Sequence, residues 1–101
     1  MVMPQYSICG LHDAPEILVV ILQSDLIDKT GTIVVAPLVP AAVVKPVRRL
    51  NPAIEHRGLS YLLITNKIAA VPAQEITRPV GSAQDCRDAI SNALDFLFRG
   101  F

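Results

Sequence analysis

The chain has 101 residues, of which 51% are hydrophobic and none is tryptophan, and its nine basic and nine acidic residues cancel. A chain of this length forms one domain, residues 1–101, around one core, and zero net charge argues against a strong field for nucleic-acid phosphates or an anionic membrane. The apolar excess predicts a homodimer that buries part of this surface between subunits.

The sequence gives no sign of export or of a membrane span. Its first residues do not combine a basic segment with an apolar one, which argues against a signal peptide. The longest stretch without charge, Thr30 to Val44, is short and is interrupted by Gly31, Pro37 and Pro40. We therefore expect a cytoplasmic protein.

Three strands are predicted in the first part of the chain. Residues Val2–Cys9 have a proline near their start and alternate imperfectly, which is typical of an edge strand, and a turn follows at 10–15. Ile17–Leu22 is a run of six aliphatic residues and predicts a strand covered on both faces. A polar loop at 23–31 leads to a strand over Thr32–Pro37, which prolines should end.

The middle of the chain predicts a loop, a hairpin and a last strand. The segment Val39–Asn51 contains two prolines and a basic cluster and is interpreted as a solvated loop. Arg57-Gly58 fits a tight hairpin turn between strands Ala53–His56 and Leu59–Thr65, with the glycine supplying a positive φ. Ile68–Ile76 is the last predicted strand.

A helix is predicted over Ser82–Phe98. Ser82 is its expected cap and Asp85 follows at the spacing of a capping box. Apolar residues recur at helical spacing and predict one face packed on the sheet: Cys86, Ile90, Ala93, Leu94 and Leu97. Strands followed by one helix indicate an α+β fold, a mostly antiparallel sheet or small barrel with one C-terminal helix.

No pattern marks a catalytic centre. Neither His12 nor His56 lies in a motif beside a nucleophile, and we expect both on the surface. Asp25 and Asp28 are more simply explained as residues that bind backbone amides and fix a turn than as paired acid and base. The sequence therefore predicts no enzyme, no catalytic residue and no cofactor.

Metal and RNA sites are equally weak predictions. Cys9 and Cys86 are expected to be free, buried thiols, and no second pair of ligands supports a zinc site. Lys45, Arg48 and Arg49 form a basic cluster that could contact RNA, but no aromatic residues alternate with them to stack on bases.

The C-terminus is the most unusual part of the sequence, because all three phenylalanines fall within the last six residues. We expect Leu97 and Phe98 to pack on the protein's own sheet. For Phe101, beyond a glycine, packing back on the body and covering by a partner are both open. The last three residues, Arg99, Gly100 and Phe101, are therefore candidates for contact with another molecule.

The order of these segments resembles the CcdB family of bacterial toxins from toxin–antitoxin pairs. The most specific features are the run Gln23-Ser24-Asp25 and a helix that ends in Phe98, Gly100 and one apolar residue. Four stretches carry the resemblance: Val20–Asp28, Val34–Leu38, Ile64–Pro72 and Ala89–Phe101.

The resemblance implies a dimer whose antiparallel sheet curls toward a small SH3-like barrel with a C-terminal helix. It implies a poison rather than an enzyme, which binds the A subunit of DNA gyrase through Arg99, Gly100 and Phe101 and traps the cleaved DNA. It also implies a CcdA-like antitoxin whose disordered tail folds onto the toxin. The two together would bind operator DNA and repress their operon, with no membrane partner.

One departure from the family pattern matters, since the best-known members carry tryptophan where this chain has Arg99, followed by glycine and isoleucine where it has Gly100 and Phe101. Arginine adds a permanent charge and a planar fork suited to carboxylates. Three hypotheses follow: a gyrase poison with an altered contact, a CcdB-like protein that binds its antitoxin but has lost or changed its target, and a ribonuclease of the related MazF type.

Overall fold

The computed structural model describes residues 4–25 and 30–100. In these ranges one helix, α1 (Arg87–Arg99), follows a seven-stranded sheet in which every strand pairing is antiparallel. The strands are β1 (Ser7–Leu11), β2 (Ala14–Ile21), β3 (Thr32–Pro40), β4 (Ala53–His56), β5 (Leu59–Leu63), β6 (Ala69–Pro72) and β7 (Gly81–Ser82).

The sheet closes most of the way into a barrel around its longest strand. The order is β4-β5-β3-β2-β1-β7, and β6 pairs with the first half of β3 while β5 pairs with its end. A sheet whose central strand changes partners along one side must bend there. The predicted α+β class, an antiparallel sheet curling into a small barrel with one C-terminal helix, is confirmed.

Strand β3 continues through Pro37, so the prediction that prolines end it there is wrong. The carbonyl of Pro37 accepts the Ile64 N–H at 2.9 Å, and the nitrogen of the same strand residue faces the same side. On that side the β6 pairing stops at Val35 and the β5 pairing starts at Leu38. The N–H that proline lacks therefore falls in a gap between two partners.

The sheet buries apolar side chains on both faces. In β2, Val20 packs in the core under the helix whereas Val19 and Ile21 pack in a second cluster. The predicted strand is confirmed, but only its second half is covered on both faces, because Ile17 is 44% exposed. The cluster under the helix contains Ile8, Val20, Leu22, Ala36, Leu38, Ile54, Leu63, Ala83 and Ile90.

The N-terminal strand is not an edge strand as predicted. Within the described residues it begins at Ser7, pairs with β2 on one side and with the two-residue β7 on the other, where Ile8 faces Gly81. It also extends to Leu11, so the predicted turn shrinks to residues 12–13. Strand β7 is too short for any periodicity to reveal it.

The helix starts later than predicted. Ser82 belongs to β7, and its Oγ accepts the N–H of Gln84 at 3.1 Å, just before a 3₁₀ turn at Gln84–Cys86 whose N-cap is Ala83. The α-helix begins at Arg87 without a side-chain cap. The predicted apolar face is confirmed, since Ile90 and Ala93 are fully buried.

The hairpin is confirmed and the last strand is shorter than predicted. Arg57 (φ 52°) and Gly58 (φ 78°) both have positive φ, the type I′ pattern that suits two-residue hairpins. Strand β6 ends at Pro72, a 3₁₀ turn follows, and Ile76 then forms a bridge with Leu11. In the described part of the chain no helix is both long and apolar enough to cross a bilayer.

Gly81 is needed for space, because a Cβ there would lie 2.7 Å from Nδ1 of the buried His56 ring. We predict that Gly81→Ala lowers the free energy of unfolding by about 1–3 kcal/mol through overpacking. Urea unfolding measures this change. In a His56→Ala background, where the ring is gone, the same substitution should cost much less; an equal cost in both backgrounds would contradict the contact.

Candidate functional site

The last residues of α1 are exposed, and the helix ends in a defined way. Arg99 is its last residue, and Gly100 (φ 79°) donates its N–H to the Phe96 carbonyl at 2.9 Å. No atom lies within 4 Å of where a Gly100 Cβ would stand, so conformation and not crowding favours glycine here. The exposed Arg99 sits in the last turn, where positive charge complements the helix dipole.

The structure thus places Arg99 and Gly100 side by side at the exposed helix end, whereas Phe101 lies outside the described residues. Phe98 is 70% exposed, so the expectation that it packs on the sheet is wrong; Leu97 is half-buried. Successive helical residues are rotated by about 100°, so a face centred on Ile90 and Leu97 cannot also bury Phe98. An exposed ring therefore stands beside the exposed cation.

Phe96 is covered by a residue from the loop before β4. The guanidinium carbon of Arg49 lies 4.7 Å from the centroid of the Phe96 ring, within the range of a cation–π contact. Arg49 has φ 72°, in the left-handed region that arginine rarely adopts. Asn51 fixes this turn, since its Oδ1 accepts the Val47 N–H at 2.9 Å and its Nδ2 donates to the Leu63 carbonyl.

A groove of about 480 Å³ opens between this turn and the outer face of α1. Its helix wall repeats every three residues, a spacing that brings side chains together on one side of a helix. No ion pair joins Arg49 to a carboxylate among residues 4–25 and 30–100. The groove is lined by Arg49, Pro52, Ala89, Asn92 and Asp95.

The groove lies one helical turn from the helix end. Asp95 in the groove and Arg99 at the end are four residues apart, which places them on neighbouring turns of the same side. The site therefore combines an exposed aromatic, two guanidinium groups and a helix terminus. Such a surface suits contact with another macromolecule better than catalysis on a small substrate.

The residues considered for catalysis lie elsewhere. Cys9 is fully buried, and burial raises its pKa to about 11, so it remains a thiol at neutral pH and is a poor nucleophile. His12 is exposed as expected. His56, the last residue of β4, is buried against Gly81, contrary to expectation. Asp25 accepts the backbone N–H of Gln5, a structural role.

The other sequence candidates contribute little. Asp28 lies outside the described residues. Cys86 is a free, half-buried thiol near the Ala53 carbonyl, whereas full burial was expected. In the described ranges no three metal-binding side chains come together. Lys45 and Arg48 are exposed in the loop, as the solvated-loop interpretation expects.

Sequence reasoning missed the role of Arg49 and the groove. Arg49 and Phe96 are far apart in the chain, and their contact depends on how the loop crosses the helix. No periodicity or short motif reports such a contact. From the sequence, the helix residues that line the groove, Ala89, Asn92 and Asp95, could be recognised only as small and polar residues outside the apolar stripe.

Comparison with known families adds one finding. The family model described as CcdB protein matches residues 6–100. The match includes all seven strands and the whole of α1. The resemblance inferred from four stretches of sequence is therefore confirmed over nearly the whole chain.

The buried Cys9 thiol predicts a pH dependence of stability. In the unfolded chain the thiol ionises near 9.0, whereas the folded protein holds the proton to about 11. Between these values the unfolded state binds fewer protons, so the free energy of unfolding should fall as pH rises, by at most about 1.4 kcal/mol per pH unit. Urea unfolding from pH 8 to 11 measures this.

The control is Cys9→Ala, which keeps every other titrating group. Its overall stability is expected to be lower because of the cavity. The difference between the two stability curves should nevertheless shrink above pH 9. Parallel curves would contradict a raised pKa at Cys9.

Proposed function

The chain belongs to the CcdB family, and from this premise we propose that it poisons DNA gyrase. Family membership indicates a toxin of a toxin–antitoxin pair. The proposed target is the A subunit of gyrase in its DNA-cleaved state. The protein acts there as a binding partner that prevents resealing of the DNA and catalyses no reaction itself.

The exposed end of α1 is the observation that carries this proposal. A helix end normally buries its apolar residues or ends in polar ones, yet here the 70% exposed Phe98 precedes Arg99 and Gly100. Aromatic and arginine side chains are the residues most often dominant in protein interfaces. We assign the gyrase contact to Arg99, Gly100 and Phe101, with Phe98 beside them.

Arg99 changes the chemistry of this contact relative to the tryptophan of the best-known members. Tryptophan offers a large apolar face, whereas a guanidinium offers a charged edge that binds carboxylates with two hydrogen bonds. The target surface should therefore present an acidic group to Arg99. The neighbouring Phe98 ring keeps an apolar component in the interface.

The remaining partners follow from the same premise. We propose a homodimer, which would cover part of the exposed apolar surface away from the helix end, such as Ile17, Val43 and Val80. A CcdA-like antitoxin would bind the toxin and neutralise it. Because the toxin has no net charge, binding of operator DNA and repression of the operon would require the antitoxin. The target places the activity in the cytoplasm.

A DNA cleavage assay with host gyrase, supercoiled plasmid and ATP tests the proposal. The intact protein should generate linear DNA after denaturation of gyrase. A variant lacking Gly100 and Phe101 should generate at least about tenfold less, because each interface anchor contributes more than about 1.4 kcal/mol. Its thermal unfolding should change little, since Gly100 is exposed and lies beyond the last residue of the helix.

The matched control is Leu59→Ser, which removes an apolar side chain that is 61% exposed in the β4–β5 hairpin. With this variant, gyrase should yield as much linear DNA as with the intact protein. Linear DNA that is independent of the tail would contradict the assignment of the contact. A folded protein that yields no linear DNA would refute gyrase poisoning and favour a changed target, which RNA cleavage and antitoxin-binding assays would then identify.

A further inference from the structure

Three residues other than glycine adopt positive φ in the described part of the chain: Tyr6, Arg49 and Arg57. Backbone hydrogen bonds of the fold account for each of these conformations. Arg57 occupies the first position of the type I′ hairpin turn. Tyr6 is fixed by hydrogen bonds on both sides, from its N–H to Ile21 and from the N–H of Ala83 to its carbonyl, both 2.7 Å.

The turn that contains Arg49 is closed by two backbone hydrogen bonds, since the N–H groups of Leu50 and Asn51 both donate to the Val47 carbonyl at 3.1 Å. The turn is also held by the Asn51 side chain and not by any contact that needs an arginine side chain. Asparagine or glycine would adopt the same left-handed φ with less strain. An arginine at this left-handed position has the effect of placing a guanidinium over Phe96 at the groove.

The geometry leaves the binding edge of this guanidinium available. The guanidinium carbon lies 4.7 Å from the centroid of the Phe96 ring, and the N–H donors of a guanidinium lie around its edge. No carboxylate of the described chain lies within ion-pair distance of it. The Arg49 guanidinium lies against a ring and has no ion-pair partner in the described chain, so it can bind a carboxylate of another molecule.

We propose that Arg49 binds an acidic side chain of the target protein and determines its specificity, so that the groove is the second half of the contact that Arg99 begins. This inference rests on the proposed function. Asn92 and Asp95 opposite Arg49 provide acceptors for N–H groups of the same partner segment. Asp95 also repels an anion that is not seated on Arg49, which disfavours a polyphosphate such as DNA.

The occupant is thus a protein segment that carries an aspartate or glutamate, continuous with the segment that meets Arg99. Continuity follows from the helix, since Asp95 and Arg99 are one turn apart on the same side. Arg49 beside the helix and Arg99 at its end would each bind one acidic side chain of that segment. A single apolar probe could not impose that requirement.

A pair of matched variants, Arg49→Asn and Arg57→Asn, tests the proposal. Both remove one exposed arginine from a left-handed position and leave asparagine, which tolerates that conformation. The gyrase cleavage assay then gives the protein concentration for half-maximal linear DNA. Arg49→Asn should raise it by on the order of ten- to hundredfold, the effect of losing a charge-assisted hydrogen-bonded pair, whereas Arg57→Asn should leave it unchanged.

Arg49→Lys and thermal unfolding distinguish recognition from a structural role. Lysine keeps the charge but lacks the planar fork, so its half-maximal concentration should fall between those of the intact protein and Arg49→Asn. The melting temperatures of all variants should match or exceed that of the intact protein. A large loss of melting temperature in Arg49→Asn would overturn the proposal by making Arg49 structural.

The outcomes separate this inference from the function on which it rests. If the intact protein causes linear DNA to accumulate and Arg49→Asn does so equally well, the role of Arg49 is overturned and the gyrase proposal stands. If no linear DNA accumulates with the intact protein, both are refuted. Cleavage that weakens in Arg49→Asn but not in Arg57→Asn, with melting temperatures preserved, supports both.

Discussion

Burial of Ile90 against the sheet is the interaction on which the candidate site depends. Its side chain is fully buried in the cluster formed with Ile8, Val20 and Leu63, and complete burial of an isoleucine contributes about 1.5–3 kcal/mol. Because each helical residue is rotated by about 100°, this one contact sets the direction of every other side chain of α1. It directs Asn92 toward the groove and leaves Phe98 exposed.

The sheet supports that contact by bending at the right place. β3 has one partner on one side and two on the other, and Pro37 sits where the two meet. A hydrogen-bonded ladder through this position would demand an N–H that proline lacks. The interruption lets the sheet curl, and the curled sheet provides the concave face that receives the helix.

Patterns within one element could be predicted from the sequence, and contacts between distant elements could not. The aliphatic run of β2, the type I′ hairpin and the apolar face of α1 each depend on neighbouring residues, so period and turn chemistry reveal them. The path of β3 through Pro37 depends on where Val35 and Leu38 find partners. The exposure of Phe98 follows from the same helical period, because its side chain is rotated away from the stripe that contains Ile90 and Leu97.

The candidate site shows the same division more sharply. Gly100 ends the helix through its own conformation and the hydrogen bond to Phe96, which are local, and the sequence indicated the unusual terminus correctly. Arg49 reaches the helix only because Asn51 fixes a turn far away in sequence, and as a loop arginine it was indistinguishable from its neighbours Arg48 and Lys45.

The fold brings Arg49 and Arg99, which are far apart in sequence, to the same side of α1. Replacing an apolar probe by Arg99 alone would weaken binding to the surface that tryptophan recognises, because a charge must then be desolvated without a partner. The Arg49 guanidinium, which lies over Phe96, adds a second positive charge beside the same side of α1. A surface with two positioned cations discriminates by requiring carboxylates at matching positions, since each unmatched cation in an interface carries an uncompensated desolvation cost. The altered terminus therefore fits the proposed gyrase contact with altered chemistry better than a loss of recognition.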